Sequence, residues 1–147
     1  FMLTKNEDIN NVFQTNFFSL LSFTQLISRV MGRNKSGSIV NISSSTSFSA
    51  DRGTLAYGAS KAALNYATKV LSKELAPQGI RVNAVAPGVT DTYMLKNMDP
   101  TAINEQLESS SLKKIANPKE ISSLVMFLCS TKSSHITGQI IRVDGGQ

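Results

Sequence analysis

The 147-residue chain is poor in residue types that often carry chemistry: it has one cysteine, one histidine and no tryptophan. Cys129 alone forms no internal disulfide, and such sparse cysteine usage fits a reducing compartment, so a cytoplasmic location is expected. It lies in the apolar run "LVMFLCS", which reads as a buried structural thiol rather than a nucleophile. With Cys129 and His135 alone of their kinds, the sequence offers neither a metal cluster nor a Cys–His dyad, and no metal is expected. No apolar run approaches the ~18 residues of a membrane span, and no signal peptide is visible. Charged residues make up 17% of the chain and the net charge is +5, but the basic residues are scattered. Lys113–Lys114 is the one adjacent basic pair, and no basic run is interleaved with aromatics, which argues against nucleic acid as a partner.

What remains is a chain with 41% hydrophobic residues, enough for one globular domain with a sizeable core. Residues 8–31 carry Val12, Phe13, Phe17, Leu20, Leu21, Ile27 and Val30 at helical recurrence, predicting a helix with a wide apolar face. "SIVNIS" (38–43) is a short β-rich run, apolar enough for a strand covered on both faces. A serine-rich loop leads to a second helix over Leu55–Ala76, with Ala59, Ala63, Ala67, Val70 and Leu71 as its apolar stripe and Lys69, Lys73 and Glu74 outward. "IRVNAVAPG" (80–88) is the next strand, stopped by Pro87–Gly88. The polar stretch after it is weakly helical, with Pro100 as an interruption, and its length suggests a substrate lid over Thr90–Leu112. Asn117 as N-cap, Pro118 at the first helical position and Glu120 three after the cap announce a third helix, and "GQIIRVDGG" is the last strand. The alternation predicts an α/β fold with a parallel sheet of three strands flanked by helices.

In such sheets ligands sit beyond the carboxyl ends of the strands. Three polar clusters fall there: Ser43–Ser44–Ser45, Pro87–Gly88 and Asp144–Gly145–Gly146. "LAYGASKAAL" (55–64) opens the following helix and places Tyr57 four residues before Lys61, on one helix face. The spacing alone is a weak signal, but Ser44 can converge on the same rim, giving a hydroxyl, a phenol and an ammonium as a proton-transfer set without histidine. A free phenol titrates near pH ~10, too high to exchange protons readily near neutrality. An exposed lysine alters that by about 0–1 kcal/mol. A partly buried cation within about 4–6 Å lowers it by roughly 1–3 pH units, so the pair requires a sheltered pocket. Asn16 places an amide in the apolar "FQTNFFSLL". It reads either as an asparagine satisfied by neighbouring backbone or as a polar group holding water on a proton path to Lys61.

"NISS", thirteen residues later "YGASK", then "GIRVNAVAPGVTDT" and "VDGG", together with "FQTN" and "NPKEI", resemble the short-chain dehydrogenase/reductase family in order along nearly the whole chain. Each motif is weak alone; in register they are highly specific. The resemblance implies a partial Rossmann-like, doubly wound parallel sheet and an NAD(P)-dependent enzyme interconverting a ketone and a secondary alcohol. It implies that Tyr57 is the general acid/base, that Ser44 polarises the carbonyl, and that Lys61 lowers the phenol pKa and binds the nicotinamide ribose. Asn16 would anchor a water leading to Lys61. Pro87, Gly88, Thr90 and Thr92 match the segment that holds the nicotinamide carboxamide, with Thr90 in place of the usual Val or Ile. The nearest subfamily resemblance is to 3-oxoacyl-acyl-carrier-protein reductases, with sugar or polyol dehydrogenases as the alternative and NADP favoured over NAD. The substrate would be a small-molecule or acyl-carrier-bound carbonyl compound.

The family's Gly-rich dinucleotide loop has no counterpart in the sequence, and the chain opens on Phe1. With family members of roughly 250 residues, residues 1–147 are expected to form the C-terminal, catalytic portion of one domain, without its N-terminal dinucleotide-binding half. A non-catalytic dimerisation remnant is the competing reading, and the intact Asn16, Ser44, Tyr57, Lys61 set argues against it. The apolar surplus of the first two helices suggests a homodimer or homotetramer.

Overall fold

A computed structural model describes residues 1–97 and 99–147. Three strands, β1 (Gly37–Ile42), β2 (Ile80–Pro87) and β3 (Ile140–Val143), form one parallel sheet in the order β1-β2-β3. The partial doubly wound α/β expectation holds. Val40 lies opposite Asn83, and Val85 opposite Ile141. β2 is central, and its Ile80, Val82, Ala84, Val85 and Ala86 form the core with Leu64 and Leu128. Asn83 is buried in that strand yet satisfied: its Nδ2 donates to the Ile136 carbonyl at 2.9 Å, and its Oδ1 accepts from the Gln139 amide at 3.0 Å. The amide thereby ties the connection before β3 to the sheet's middle.

β1 departs from the expectation of a strand covered on both faces. It pairs only with β2 among the described residues, and Ile42 is 44% exposed. The cause is its edge position, which leaves a groove of about 510 Å³ between the strand and the helix before it.

The helical stretch predicted over 8–31 is broken in two. α1 (Asn6–Phe13) and α2 (Ser19–Arg33) are joined by a π-helical turn over Gln14–Phe18, an insertion that periodicity does not reveal. α3 (Leu55–Glu74) has the predicted outward Lys69, Lys73 and Glu74, but its most buried face is not the alanine stripe. Ser60, Leu64, Thr68 and Ser72, four residues apart, face inward with Asn65, and Ala59, Ala63 and Ala67 are half-buried beside them. The inward hydroxyls are satisfied by the helix's own carbonyls, as Thr68 Oγ1 donates to Leu64 at 2.8 Å. Gly79, at φ +72°, turns the chain from α3 into β2; a Cβ there would stand 2.2 Å from the Lys35 carbonyl oxygen.

Pro100 begins a helix rather than interrupting one. α4 (Pro100–Ser109) is capped by the Asp99 side chain, which accepts from the Thr101 amide, and a proline loses nothing at the first helical position. α5 (Pro118–Cys129) has the full predicted capping box of Asn117 and Glu120. Its Cys129 is exposed, correcting the expectation of a buried thiol: the helix turns Leu128 inward, and Cys129 comes last in the helix on the outer side with Met126.

Candidate active site

The site forms where β1 ends and α3 begins. Strand β1 delivers Ile42, Ser43 and Ser44, after which Ser45–Ser47 make a single 3₁₀ turn. Helix α3 crosses this end closely. A Cβ on Gly58 would lie 3.2 Å from the Thr46 carbonyl oxygen, so the glycine beside Tyr57 allows the turn and the helix to touch.

Lys61 joins the two elements. Its Nζ donates to the Ile42 carbonyl at 2.9 Å and stands 5.8 Å from the centroid of the Tyr57 ring. The predicted i, i+4 pair thus shares one helix face. Burial pushes the Lys61 ammonium below its ordinary value of 10.5. An ammonium has three donors, and Ile42 takes one of them. Lys61 also lines the groove beside β1, together with Asn16.

Asn16 lies in the π-helical turn, and its Nδ2 donates to Ser60 Oγ at 3.2 Å. Ser60, fully buried, in turn donates to the Tyr57 carbonyl at 2.7 Å. The amide is therefore satisfied by a side chain of α3, neither by neighbouring backbone nor by Lys61. Ser44 is nearly buried, with its Oγ accepting from the Thr46 amide at 3.3 Å and donating to Thr46 Oγ1 at 3.2 Å. Ser43 turns toward α3, its hydroxyl 3.4 Å from the Lys61 carbonyl oxygen.

Pro87 and Gly88 end β2 at the same edge of the sheet. Gly88 donates to the Val143 carbonyl at 3.0 Å, and a Cβ there would meet Asp144 Cα at 2.8 Å, so β2 and β3 leave the sheet in close contact. Thr90 bridges to Ala116 just before α5 and donates its hydroxyl to the Gly88 carbonyl at 3.0 Å. Thr92 is exposed, its hydroxyl 3.3 Å from the Thr90 carbonyl. Two groups therefore stand at this rim: Asn16, Ser44, Tyr57 and Lys61 around α3, and Pro87–Thr92 after β2. Lys61 has donors suited to the hydroxyls of a ribose, so the residues present fit the nicotinamide end of a dinucleotide.

Sequence reasoning missed Thr46, Ser47, Ser60 and Asn65, all hydrogen-bonded within this site. The available signal was the recurrence of small polar residues at 60, 65, 68 and 72 inside an otherwise good helix.

The entire chain, residues 1–147, matches the family model described as enoyl-(acyl carrier protein) reductase. It is 39% identical over 145 residues to a 3-oxoacyl-[acyl-carrier-protein] reductase of Chlamydia muridarum, a match covering 99% of this chain and 58% of that protein. The corresponding reductase of Thermotoga maritima is 39% identical over 142 residues, again with 58% of its length covered. Among solved structures, a 7α-hydroxysteroid dehydrogenase in complex with NADH and 7-oxo glycochenodeoxycholic acid superposes with a TM-score of 0.93 at 30% identity, over 98% of this chain and 57% of that one. A 3-oxoacyl-[acyl-carrier protein] reductase from Brucella melitensis gives 0.93 at 31% identity, over 99% and 55%. The chain thus spans under two thirds of the length of each of these relatives.

Proposed function

The chain belongs to the short-chain dehydrogenase/reductase family, and on that premise we propose that it interconverts a ketone and a secondary alcohol with NAD(P), a 3-oxoacyl-acyl-carrier-protein being the foremost substrate. The observation that carries the reading is Lys61: a half-buried ammonium anchored two residues before Ser44 and lying against the Tyr57 ring. That is the sheltered cation a working phenol requires.

In this reading the nicotinamide cofactor supplies or accepts the hydride. Tyr57 gives its hydroxyl proton to the substrate carbonyl oxygen, and Ser44 donates a hydrogen bond to that oxygen, favouring its developing negative charge. Lys61 stabilises the phenolate left behind and hydrogen-bonds the ribose. Asn16 holds water on the route by which Lys61 regains a proton, a role supported by both residues lining one groove. Pro87, Gly88, Thr90 and Thr92 would hold the carboxamide end of the cofactor. NADP is preferred to NAD on the likeness to acyl-carrier reductases.

Residues 1–147 are read as the catalytic portion of one larger domain, a reading supported by the open edge of β1 and by the share of the relatives' length that is matched. A homo-oligomer in the cytoplasm completes the picture, with no metal and no nucleic acid. A sugar or polyol substrate is the second reading. It is favoured by a polar cavity of about 310 Å³ beside the Ser44 turn, lined by Ser45, Ser49, Gln106, Ser109 and Arg142 among others.

The test is cofactor absorbance during incubation of the full natural protein with NADPH or NADH and a 3-oxoacyl thioester, and with NADP or NAD and a polyol in the reverse direction. Oxidation of the reduced cofactor by the thioester is expected. Turnover with the polyol alone selects the second reading, and no turnover with any pair overturns the function.

A further inference from the structure

Ser44 leaves β1 in extended conformation, and the direction of its hydroxyl depends on how the next peptide is held. The Ser47 amide of the 3₁₀ turn donates to the Ser44 carbonyl at 3.1 Å, and two side-chain contacts reinforce it. Ser47 Oγ donates to the Ser44 carbonyl at 2.6 Å, and Asn65 Nδ2 donates to Ser47 Oγ at 2.7 Å. Asn65 lies one helical turn after Lys61, so Tyr57, Lys61 and Asn65 recur every four residues along one face of α3.

We propose that Asn65, acting through Ser47, is a positioning residue that locks the Ser44 peptide to the same helix that carries Tyr57 and Lys61. The inference rests on the role given to Ser44 above. Its consequence is geometric. Ser44 belongs to a strand end and a turn, Tyr57 to a helix, and two such elements keep a fixed mutual distance only where something fastens them. Lys61 already fastens the strand end to α3 at Ile42, and the relay adds a second fastening beyond Ser44, as orientation of a reacting carbonyl demands.

The burial of Asn65 supports this assignment. The residue is 8% exposed, and its Oδ1 has no hydrogen-bond partner. An orphaned acceptor in a core is destabilising, so burial alone does not account for an amide at this position. What the amide offers instead is the donor to Ser47. A residue that serves position at the expense of stability is expected beside a reaction centre.

The test has two readouts. In the full protein, labelled with ¹³C, Ser47→Ala and Asn65→Ala each move the Ser44 carbonyl resonance upfield. An unmoved resonance in either variant overturns the relay. In the full protein with its cofactor, each variant lowers kcat about tenfold with cofactor affinity unaltered, and Ser47→Thr restores it. Placed in a Ser44→Ala background, Ser47→Ala costs nothing further, because the group it positions is gone. A second, multiplicative loss there overturns the proposal. Tyr57→Phe in the same assay reports separately on the proton-donor reading. If that variant retains turnover, the function falls; if it is inactive while Ser47→Ala matches the parent, only the relay falls.

Discussion

Lys61 shows how the role proposed for one side chain would come at some expense to the fold. Burial disfavours its charged form, so the folded chain binds its proton less tightly than the unfolded chain does. Between its lowered pKa and 10.5 the unfolded state carries more protons, so this residue's contribution to stability improves as pH rises through that window. Below the window the penalty is fully present. Lys61→Met is therefore expected to flatten the alkaline limb of the stability–pH curve, read from urea midpoints between neutral pH and pH ~10. A variant with the parent's slope would remove the burial argument. Tyr57→Phe tests the partner: it is expected to abolish carbonyl reduction while cofactor still binds, measured by turnover and fluorescence titration side by side. At this scale the shared helix face of Tyr57 and Lys61 was legible from their spacing of four, and their grouping with Ser44 was expected from the order of the motifs. Ser47 and Asn65 were not, since in "NISSSTS" several hydroxyls are interchangeable on paper and only the fold decides which one meets Asn65.

The elements differ in how much local sequence determines them. α5 was readable to the residue, because a capping box is a local bargain between four neighbours. Asn117→Ala is expected to cost about 0.5–2 kcal/mol in urea unfolding, with the loss absent if tertiary packing alone holds the helix end. Glu120, the other half of the box, has its carboxyl held below its ordinary value of 4.5 by Lys114, the Asn117 amide adding to the effect. Its contribution is present above pH 4.5 and fades as pH falls through the lowered value. The π-helical turn at Gln14–Phe18 and the polar inward face of α3 were not readable, because both answer to a neighbour far along the chain. Asn16 meets Ser60 across 44 residues, and Asn41 Nδ2 meets Thr68 Oγ1 at 2.9 Å across 27. Gly88 marks the same dependence. Its small size serves the approach of Asp144, so Gly88→Ala is expected to push β2 and β3 apart and cost about 1–3 kcal/mol. A thermal melt that matches the parent would show that the strands separate freely.

At the scale of the molecule, the parallel three-stranded sheet followed from alternating elements, while the state of its surfaces did not. The apolar surplus expected in the first helix is real but lies outside: Phe23 is 63% exposed and Leu26 60%, with Val30 also exposed on α2, Phe18 at the end of the π-helical turn and Tyr66 on α3. Phe23, Leu26 and Val30 recur at helical spacing on one face of α2, and an exposed apolar face suits an interface. A twofold pairing suits it, because one helix face meeting its own copy closes without leaving a second patch free. The chain, 15.9 kDa by composition, is therefore expected to sediment with about twice that mass. Replacing Leu26 and Val30 together by glutamate should return the single-chain mass, since two charges facing their copies would be desolvated without partners. If the parent already sediments as one chain, or the double variant remains paired, the strip on α2 is not what holds the copies together. β1's open edge would then be the surface to examine, for its groove also carries apolar side chains, Leu20, Ile27 and Ile39 among them. The two surfaces are separable by experiment because Leu26 and Val30 lie outside that groove, whereas Phe23 lines it.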